Sequence, residues 1–175
     1  VGTRMLAHGV TWKTGRQFHQ EQEVYAFDLL PEDLRQQAAD RLVENIQSYG
    51  YHLTTGFLGT PYLAHVLSRF GHTDIAYRLL MQESYPSWLY PVTQGATTIW
   101  ERWDADTQDG GMNGESQKIL SGNFEAWCYQ TLGGINYDPA TPGFKHIILR
   151  PRPVGDLTWA RASHVSVYGK IVSDW

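Results

Sequence analysis

Residues 60–80, TPYLAHVLSRFGHTDIAYRLL, predict a helical hairpin. Thr60 can cap a helix, and Pro61 suits its first turn because the amide that proline lacks would have no helical partner there. The apolar residues that follow share one helical face: Leu63, Val66, Leu67 and Phe70. Gly71 can end this helix, and Thr73 can cap a second one. The apolar residues of the second helix are Ile75, Ala76, Leu79 and Leu80. Two amphipathic helices joined by so short a turn pack against each other.

The same periodicity extends towards the N-terminus. Residues 31–49 begin with Pro31 and two acidic residues, which favour a helix start, and Gly50 follows as a stop signal. Apolar residues recur in this segment at every fourth position: Leu34, Ala38, Leu42 and Ile46. Residues 21–29 predict a further helix, joined to the next by a very short turn. The chain is therefore predicted to be mainly α-helical and built from successive helical hairpins.

The pattern changes twice in the second half of the chain. From Ser84 to about Gln117 the helical periodicity is lost in a segment rich in Gly, Pro, Trp and Tyr, and loops of that length are usually functional. A last helix is predicted over 119–132, closed by Gly133-Gly134. After Pro139 come short β-prone runs that predict antiparallel strands: 144–149, 157–163, and 164–174 broken near Tyr168-Gly169. The final run stops at Trp175 in mid-pattern, so we expect an incomplete β unit.

The composition argues against several functional classes. The 175 residues carry a net charge of −4 with no basic cluster, so a nucleic-acid partner is not expected. No apolar run approaches the roughly 20 residues that span a bilayer, so no membrane partner is expected either. The seven histidines lack the spacing of a metal site, and no cofactor is predicted. The aromatic content of 13% is high and could serve either a packed core or a carbohydrate site.

One stretch concentrates aromatic surface around a carboxylate. In residues 95–104, GATTIWERWD, Glu101 stands between Trp100 and Trp103. Such a segment is either a packing element or the wall of a sugar site. Upstream, Trp88 and Tyr90 in PSWLYPV could extend that wall. Other nearby carboxylates are more simply interpreted as solvated, turn-forming or structural: Asp104, Asp106, Asp109 and Glu125.

Six separated blocks occur in one order and together resemble the α-L-rhamnosidase family of glycoside hydrolases. They are TTGFLGTPYL (54–63), G-x-x-D-x-AY-x-LL (71–80), PSWLYPV (86–92), GATTIWERWD (95–104), GGI-x-x-D-x-x-x-PGFK (133–145) and YGKIVSDW (168–175). The resemblance covers roughly residues 24–175 and implies an (α/α)6 barrel of helical hairpins followed by a β-sandwich domain. It implies that residues 1–138 form the C-terminal half of the barrel and residues 139–175 the first strands of the sandwich. The chain would then be a fragment of a longer enzyme.

The resemblance also implies roles for individual residues. Such enzymes remove terminal rhamnose from glycans or plant glycosides with inversion. Inversion requires one acid to protonate the leaving oxygen and one carboxylate to activate water. Glu101 matches the family's general base, and the surrounding rings would increase its basicity by excluding water. The general acid is expected upstream of residue 1. Lys118 stands where the family usually has a sugar-contacting histidine, and a lysine can donate but not accept a hydrogen bond.

Two functions stay open at this point. The first is the base-bearing half of a hydrolase that acts on a rhamnose-containing carbohydrate. Its expected substrate-binding residues are Trp88, Tyr90, Trp100, Trp103 and Lys118, and of Trp100 and Trp103 one is expected to face the pocket and the other to pack the barrel. The second is a carbohydrate-binding or structural remnant that does no chemistry. In either case we expect the isolated chain to be inactive and to self-associate through exposed helix faces and an open strand edge.

Overall fold

The structure is a computed structural model that describes residues 30–55, 59–100, 103–104, 106 and 124–175. The chain divides into two compact units, Val1–Gly122 and Asn123–Trp175. The helix predicted over 21–29 lies outside the described residues. Among the helices that are described, none is long and apolar enough to cross a membrane.

The described part of the first unit contains three helices that the sequence predicted and one that it did not. Helix α1 spans Glu32–Ser48, α2 spans Thr60–Arg69 and α3 spans Thr73–Leu80. Their buried residues include the predicted apolar positions Leu42, Leu63, Leu67 and Leu79. A short fourth helix, α4, spans Leu89–Thr93 within the segment predicted as loop. The periodicity over 60–80 therefore identified the α2–α3 hairpin correctly.

Three glycines end helices α1, α2 and α4 in the same way. Gly50, Gly71 and Gly95 have φ angles of 65°, 91° and 84°, a left-handed region that favours glycine. Behind Gly50, the amide of Tyr51 donates to the carbonyl of Ile46 over 2.9 Å, and equivalent bonds follow the other two glycines. Each bond satisfies a carbonyl of the last helical turn. Two of these stops, Gly50 and Gly71, were predicted from the sequence.

The helix starts differ from the prediction by one residue. Gly59 and His72, rather than Thr60 and Thr73, occupy the N-cap positions of α2 and α3. Thr60 instead lies in the first turn of α2, where its buried hydroxyl is 2.8 Å from the hydroxyl of Thr55. This contact joins the start of α2 to the segment that precedes it. The hydroxyl of Thr60 therefore makes a contact with Thr55 and does not cap α2.

The second unit combines a short helical segment with four strands. Helix α5, Phe124–Trp127, continues as a π-helical turn over Cys128–Leu132. Strands β1 (Ile135–Tyr137) and β2 (Ile147–Leu149) pair antiparallel, as do β3 (Arg161–Ser166) and β4 (Gly169–Asp174). Trp127 is 0% exposed and lies in the core of this unit. The helical segment predicted over 119–132 is thus confirmed for its described part.

The strand predictions were right in kind but not in extent. The run 144–149 forms a strand only at its last three residues, and β3 crosses the predicted boundary between residues 163 and 164 to form a hairpin with β4. Val167 and Tyr168 form the turn of that hairpin, where the sequence predicted a break. Strand β1 was not predicted, because three residues are too few to show an alternating pattern. Its pairing with β2 is set by tertiary structure.

Candidate functional site

The aromatic residues of the candidate site are among the residues that the structure describes. Glu101, the predicted general base, and Lys118, the predicted sugar contact, lie outside the described residues. The other four predicted site residues are described: Trp88, Tyr90, Trp100 and Trp103. All four belong to the first unit. Their arrangement is therefore the part of the site that can be built from geometry.

These four side chains and Tyr85, which we call the aromatic cluster, make ring contacts in two groups: Tyr85, Tyr90 and Trp100 in one, and Trp88 with Trp103 in the other. The ring centroids of Tyr90 and Trp100 are 6.4 Å apart, and those of Trp88 and Trp103 are 5.9 Å apart, both with planes crossing at 80°. Tyr85 meets Tyr90 at 5.5 Å and 74°. All three contacts are edge-to-face, the geometry in which the positive rim of one ring meets the negative face of another. The segment 85–90 thus contacts the flanks of Glu101 through two separate ring pairs.

Helix α4 and the turn before it position the rings contributed by 85–90. The hydroxyl of Ser87, which is fully buried, accepts a 3.1 Å hydrogen bond from the amide of Tyr90 in the first turn. The carbonyl of Pro86 accepts a 3.0 Å bond from the amide of Leu53. The turn is therefore tied to the segment that follows α1, and its buried polar groups are satisfied. Trp88 and Tyr90 project from a backbone fixed at both points.

Two polar contacts add to the ring packing. The indole N–H of Trp103 donates to the carbonyl of Thr55 over 3.2 Å. The hydroxyl of Tyr90 donates to Oδ2 of Asp106 over 2.6 Å, a short bond typical of a charged acceptor. This hydrogen bond is the main reason that the pKa of Tyr90 is raised above its ordinary value of 10.0. The phenol therefore stays protonated and remains a donor across the physiological pH range.

Asp106 is a residue whose contact the sequence analysis missed. It was interpreted as a solvated or turn-forming carboxylate, and it is indeed exposed. It is nevertheless the acceptor for Tyr90, so its position is not that of a free loop residue. Trp100 and Asp106 both contact Tyr90, and Trp103 contacts Thr55, but the spacing of these three residues in the sequence does not reveal their partners.

The aromatic rings differ in solvent exposure, which decides which of them could contact a ligand. Trp100 is only 7% exposed, so little of its surface is open to a ligand. Trp88, Tyr90 and Trp103 are partly exposed. Partly exposed indole and phenol rings present flat apolar faces with a polar edge, which suits the C–H surface of a sugar ring. Among the described residues no group of three or more His, Cys, Asp or Glu side chains could hold a metal ion.

Family models match most of the chain. Residues 13–132 match the bacterial α-L-rhamnosidase 6 hairpin glycosidase domain, and residues 134–175 match the bacterial α-L-rhamnosidase C-terminal domain. An α-L-rhamnosidase of Streptomyces avermitilis is 44% identical over 154 residues, which are 86% of this chain and 15% of that protein. An α-L-rhamnosidase of Formosa agariphila is 42% identical and is covered to 16%. The chain thus spans about a sixth of the length of these curated relatives.

Solved structures with the same arrangement are also available. The crystal structure of the Streptomyces avermitilis α-L-rhamnosidase complexed with L-rhamnose matches with a TM-score of 0.79 and 40% identity, covering 90% of this chain and 16% of that one. The α-L-rhamnosidase of Dictyoglumus thermophilum matches with a TM-score of 0.83 and 34% identity, covering 95% and 19%. Both the sequence and the fold therefore lead to the same group of proteins.

Proposed function

Because the chain belongs to the α-L-rhamnosidase family of glycoside hydrolases, as its six sequence blocks predicted, we propose that it is part of an inverting hydrolase of terminal α-L-rhamnose. Glu101 is the general base in this proposal. The observation that supports it best is the aromatic cluster built around both flanks of Glu101. The proposed substrate is a rhamnose-containing carbohydrate, such as a glycan or a plant glycoside, and no cofactor is required.

The proposed chemistry follows from the needs of an inverting glycosidase. A general base must remove a proton from water while that water attacks the anomeric carbon, and a separate acid must protonate the leaving oxygen. Glu101 supplies the base. The acid lies in a part of the enzyme upstream of residue 1, and the chain is accordingly a fragment. We propose that residues 1–138 belong to the catalytic barrel and residues 139–175 to the β-sandwich that follows.

The rings take different parts in this site. Trp88 and Trp103 are proposed to offer exposed faces to the sugar, with Tyr90 bordering them. Trp100 packs behind the site because its ring is almost fully covered. The sequence analysis expected one of Trp100 and Trp103 to face the pocket and the other to pack, without saying which. Lys118 is proposed to donate a hydrogen bond to a sugar hydroxyl.

Substitution of the proposed base in the complete enzyme tests this function. Glu101→Gln keeps the shape of the side chain but removes its basicity, so turnover of an aryl α-L-rhamnoside should fall about 10²–10⁴-fold with little loss of binding. Glu125→Gln is the matched control, because Glu125 is exposed on α5. Wild-type turnover in Glu101→Gln would refute the assignment. Early NMR spectra of the released sugar report the anomer, and retention of configuration would refute an inverting mechanism.

The same experiment separates the enzyme from the second function considered. A carbohydrate-binding remnant would bind rhamnosides in calorimetry and release no sugar from any aryl rhamnoside. Binding by both the wild-type protein and Glu101→Gln, with turnover by neither, would favour that alternative. Turnover by the wild-type protein alone would favour the hydrolase.

A further inference from the structure

The hydroxyl of Tyr90 is already occupied. A phenol has one O–H donor, and in Tyr90 that donor is used on Oδ2 of Asp106 at 2.6 Å. The pKa of Tyr90 is raised by this bond, so the donor is not lost by ionisation near neutral pH. A sugar hydroxyl could therefore only donate to Tyr90 and could not accept from it. The polar end of Tyr90 serves a protein contact.

Tyr90 also contacts the chain on both sides of Glu101. Its ring packs edge-to-face on Trp100, the residue before Glu101, and its hydroxyl bonds Asp106, five residues after Glu101. Between these two points, Trp103 is held by the ring of Trp88 and by the carbonyl of Thr55. Trp100, Trp103 and Asp106 are thus three anchored positions, spaced three residues apart. Two of the three anchors come from one side chain.

The support of Tyr90 is itself well fixed. Its amide donates to the fully buried hydroxyl of Ser87, and its ring meets the ring of Tyr85 in an edge-to-face contact. A side chain fixed at both its backbone and its ring can transmit position to the groups that it touches. Each contact is individually modest, but together they leave few alternative arrangements for residues 100 and 106.

We infer that Tyr90 and Asp106 form a positioning pair that holds the Glu101 segment in its reactive geometry. This inference rests on the proposed function, since it assigns Glu101 as the base. A general base must stand within hydrogen-bond reach of its water, and a displacement of about 1 Å can cost about 10²-fold in rate. Tyr90 acts in this scheme on the rate of the chemical step, whereas a sugar contact would act on substrate affinity.

Steady-state kinetics on the complete enzyme with an aryl α-L-rhamnoside tests the pair. Tyr90→Phe removes the hydroxyl and keeps the ring, so the apolar packing stays intact. Asp106→Ala removes the acceptor, and Asp106→Asn keeps an acceptor oxygen as the conservative variant. Tyr49→Phe is the matched control, because Tyr49 is an exposed tyrosine of the same unit outside the cluster. Thermal unfolding of each variant establishes that the fold is kept.

We expect Tyr90→Phe and Asp106→Ala each to lower kcat by about 10-fold, with KM within about 2-fold of wild type. Asp106→Asn should retain most of the activity. The double variant Tyr90→Phe/Asp106→Ala should be no slower than either single variant, since both break the same bond. An increase in KM at unchanged kcat would overturn the inference and make Tyr90 a substrate contact. Wild-type kinetics in Tyr90→Phe, or fully multiplicative losses in the double variant, would overturn it as well.

Failure of this inference can be distinguished from failure of the proposed function. If Glu101→Gln abolishes turnover while Tyr90→Phe changes nothing, the base assignment stands and the positioning pair is wrong. If Glu101→Gln turns over normally, the proposed base is wrong. The pair would then have no catalytic group to position, whatever Tyr90→Phe does.

Discussion

Gly134 is the position where a single methyl group should disrupt the second unit most. Its φ angle is 73°, and a Cβ atom there would lie 2.5 Å from the carbonyl carbon of Arg150 and closer still to the backbone nitrogen of Pro151. The carbonyl of Gly134 accepts a 2.8 Å bond from the amide of Arg150, which holds the two segments together. The obstructing atoms belong to the backbone, so no side-chain rotation can relieve the contact.

Gly143 provides the matched control for Gly134→Ala. Its φ angle is 79°, so alanine meets a similar left-handed backbone there, but a Cβ atom would have no neighbour within 4 Å. The left-handed conformation costs an L-residue about 1–2 kcal/mol, and this cost is common to both variants. Overpacking adds about 1–3 kcal/mol, and only Gly134→Ala incurs it. Gly134→Ala should therefore lose about 2–5 kcal/mol in total, against about 1–2 kcal/mol for Gly143→Ala.

Urea unfolding of the 175-residue chain, followed by circular dichroism, measures both losses. In thermal unfolding, a difference of about 2 kcal/mol between the variants corresponds to roughly 4–8 °C in the midpoint for a chain of this size. Equal losses in the two variants would refute the reasoning, because they would show that the approach of Gly134 to residues 150–151 contributes nothing. A larger loss in Gly143→Ala would refute it more directly.

Three further predictions concern reactivity, pH and association. Burial raises the pKa of the Cys128 thiol from 9.0 to about 11. Iodoacetamide should therefore react about 100-fold more slowly with the native chain than with the urea-unfolded chain. Equal rates would contradict this prediction. Burial lowers the pKa of His65 below 6.5, so the unfolded chain is protonated first as the pH falls. The free energy of unfolding should then fall by up to about 1.4 kcal/mol per pH unit below about pH 6.5. Urea unfolding at several pH values measures this loss, which should be smaller in His65→Gln. The β3–β4 hairpin exposes Val165 (74%) and Val167 (89%), so the isolated chain should self-associate in sedimentation velocity. It should also hydrolyse no rhamnoside, because the proposed general acid is not among its residues. An active monomer would contradict both expectations.

The helices that the sequence predicted are those whose signals agree at several levels. In α2, Pro61 at the start, the apolar spacing and Gly71 at the end all favour the same helix, and the observed packing agrees with these local signals. Helix α4 shares only the glycine that follows its end. It has five residues with a proline among them, and only Pro91 is buried. Its position comes from the turn at Ser87 and from Gly95, which a periodicity argument does not use.

The sequence singled out the aromatic residues of this region but did not predict how they pair. In the structure, Trp88 meets Trp103 and Tyr90 meets Trp100. Which ring meets which depends on how α4 lies against residues 100–106, and no local preference encodes that. The role of Asp106 was missed for the same reason, because a carboxylate in a polar loop has no sequence feature that reveals its hydrogen-bond donor.

The aromatic surface around Glu101 can serve packing and recognition at the same time. The rings of Trp100 and Tyr90 meet edge-to-face and Trp100 is almost fully buried, whereas Trp103 donates its N–H to Thr55 and keeps part of its ring exposed. Large rings provide contact area with few rotatable bonds, so these contacts can fix positions 100 and 103. If Glu101 is the base that we propose, fixed neighbours and rings that exclude water would both favour its proton-accepting role. Under that proposal, the two tryptophans beside Glu101 serve its positioning as well as sugar stacking.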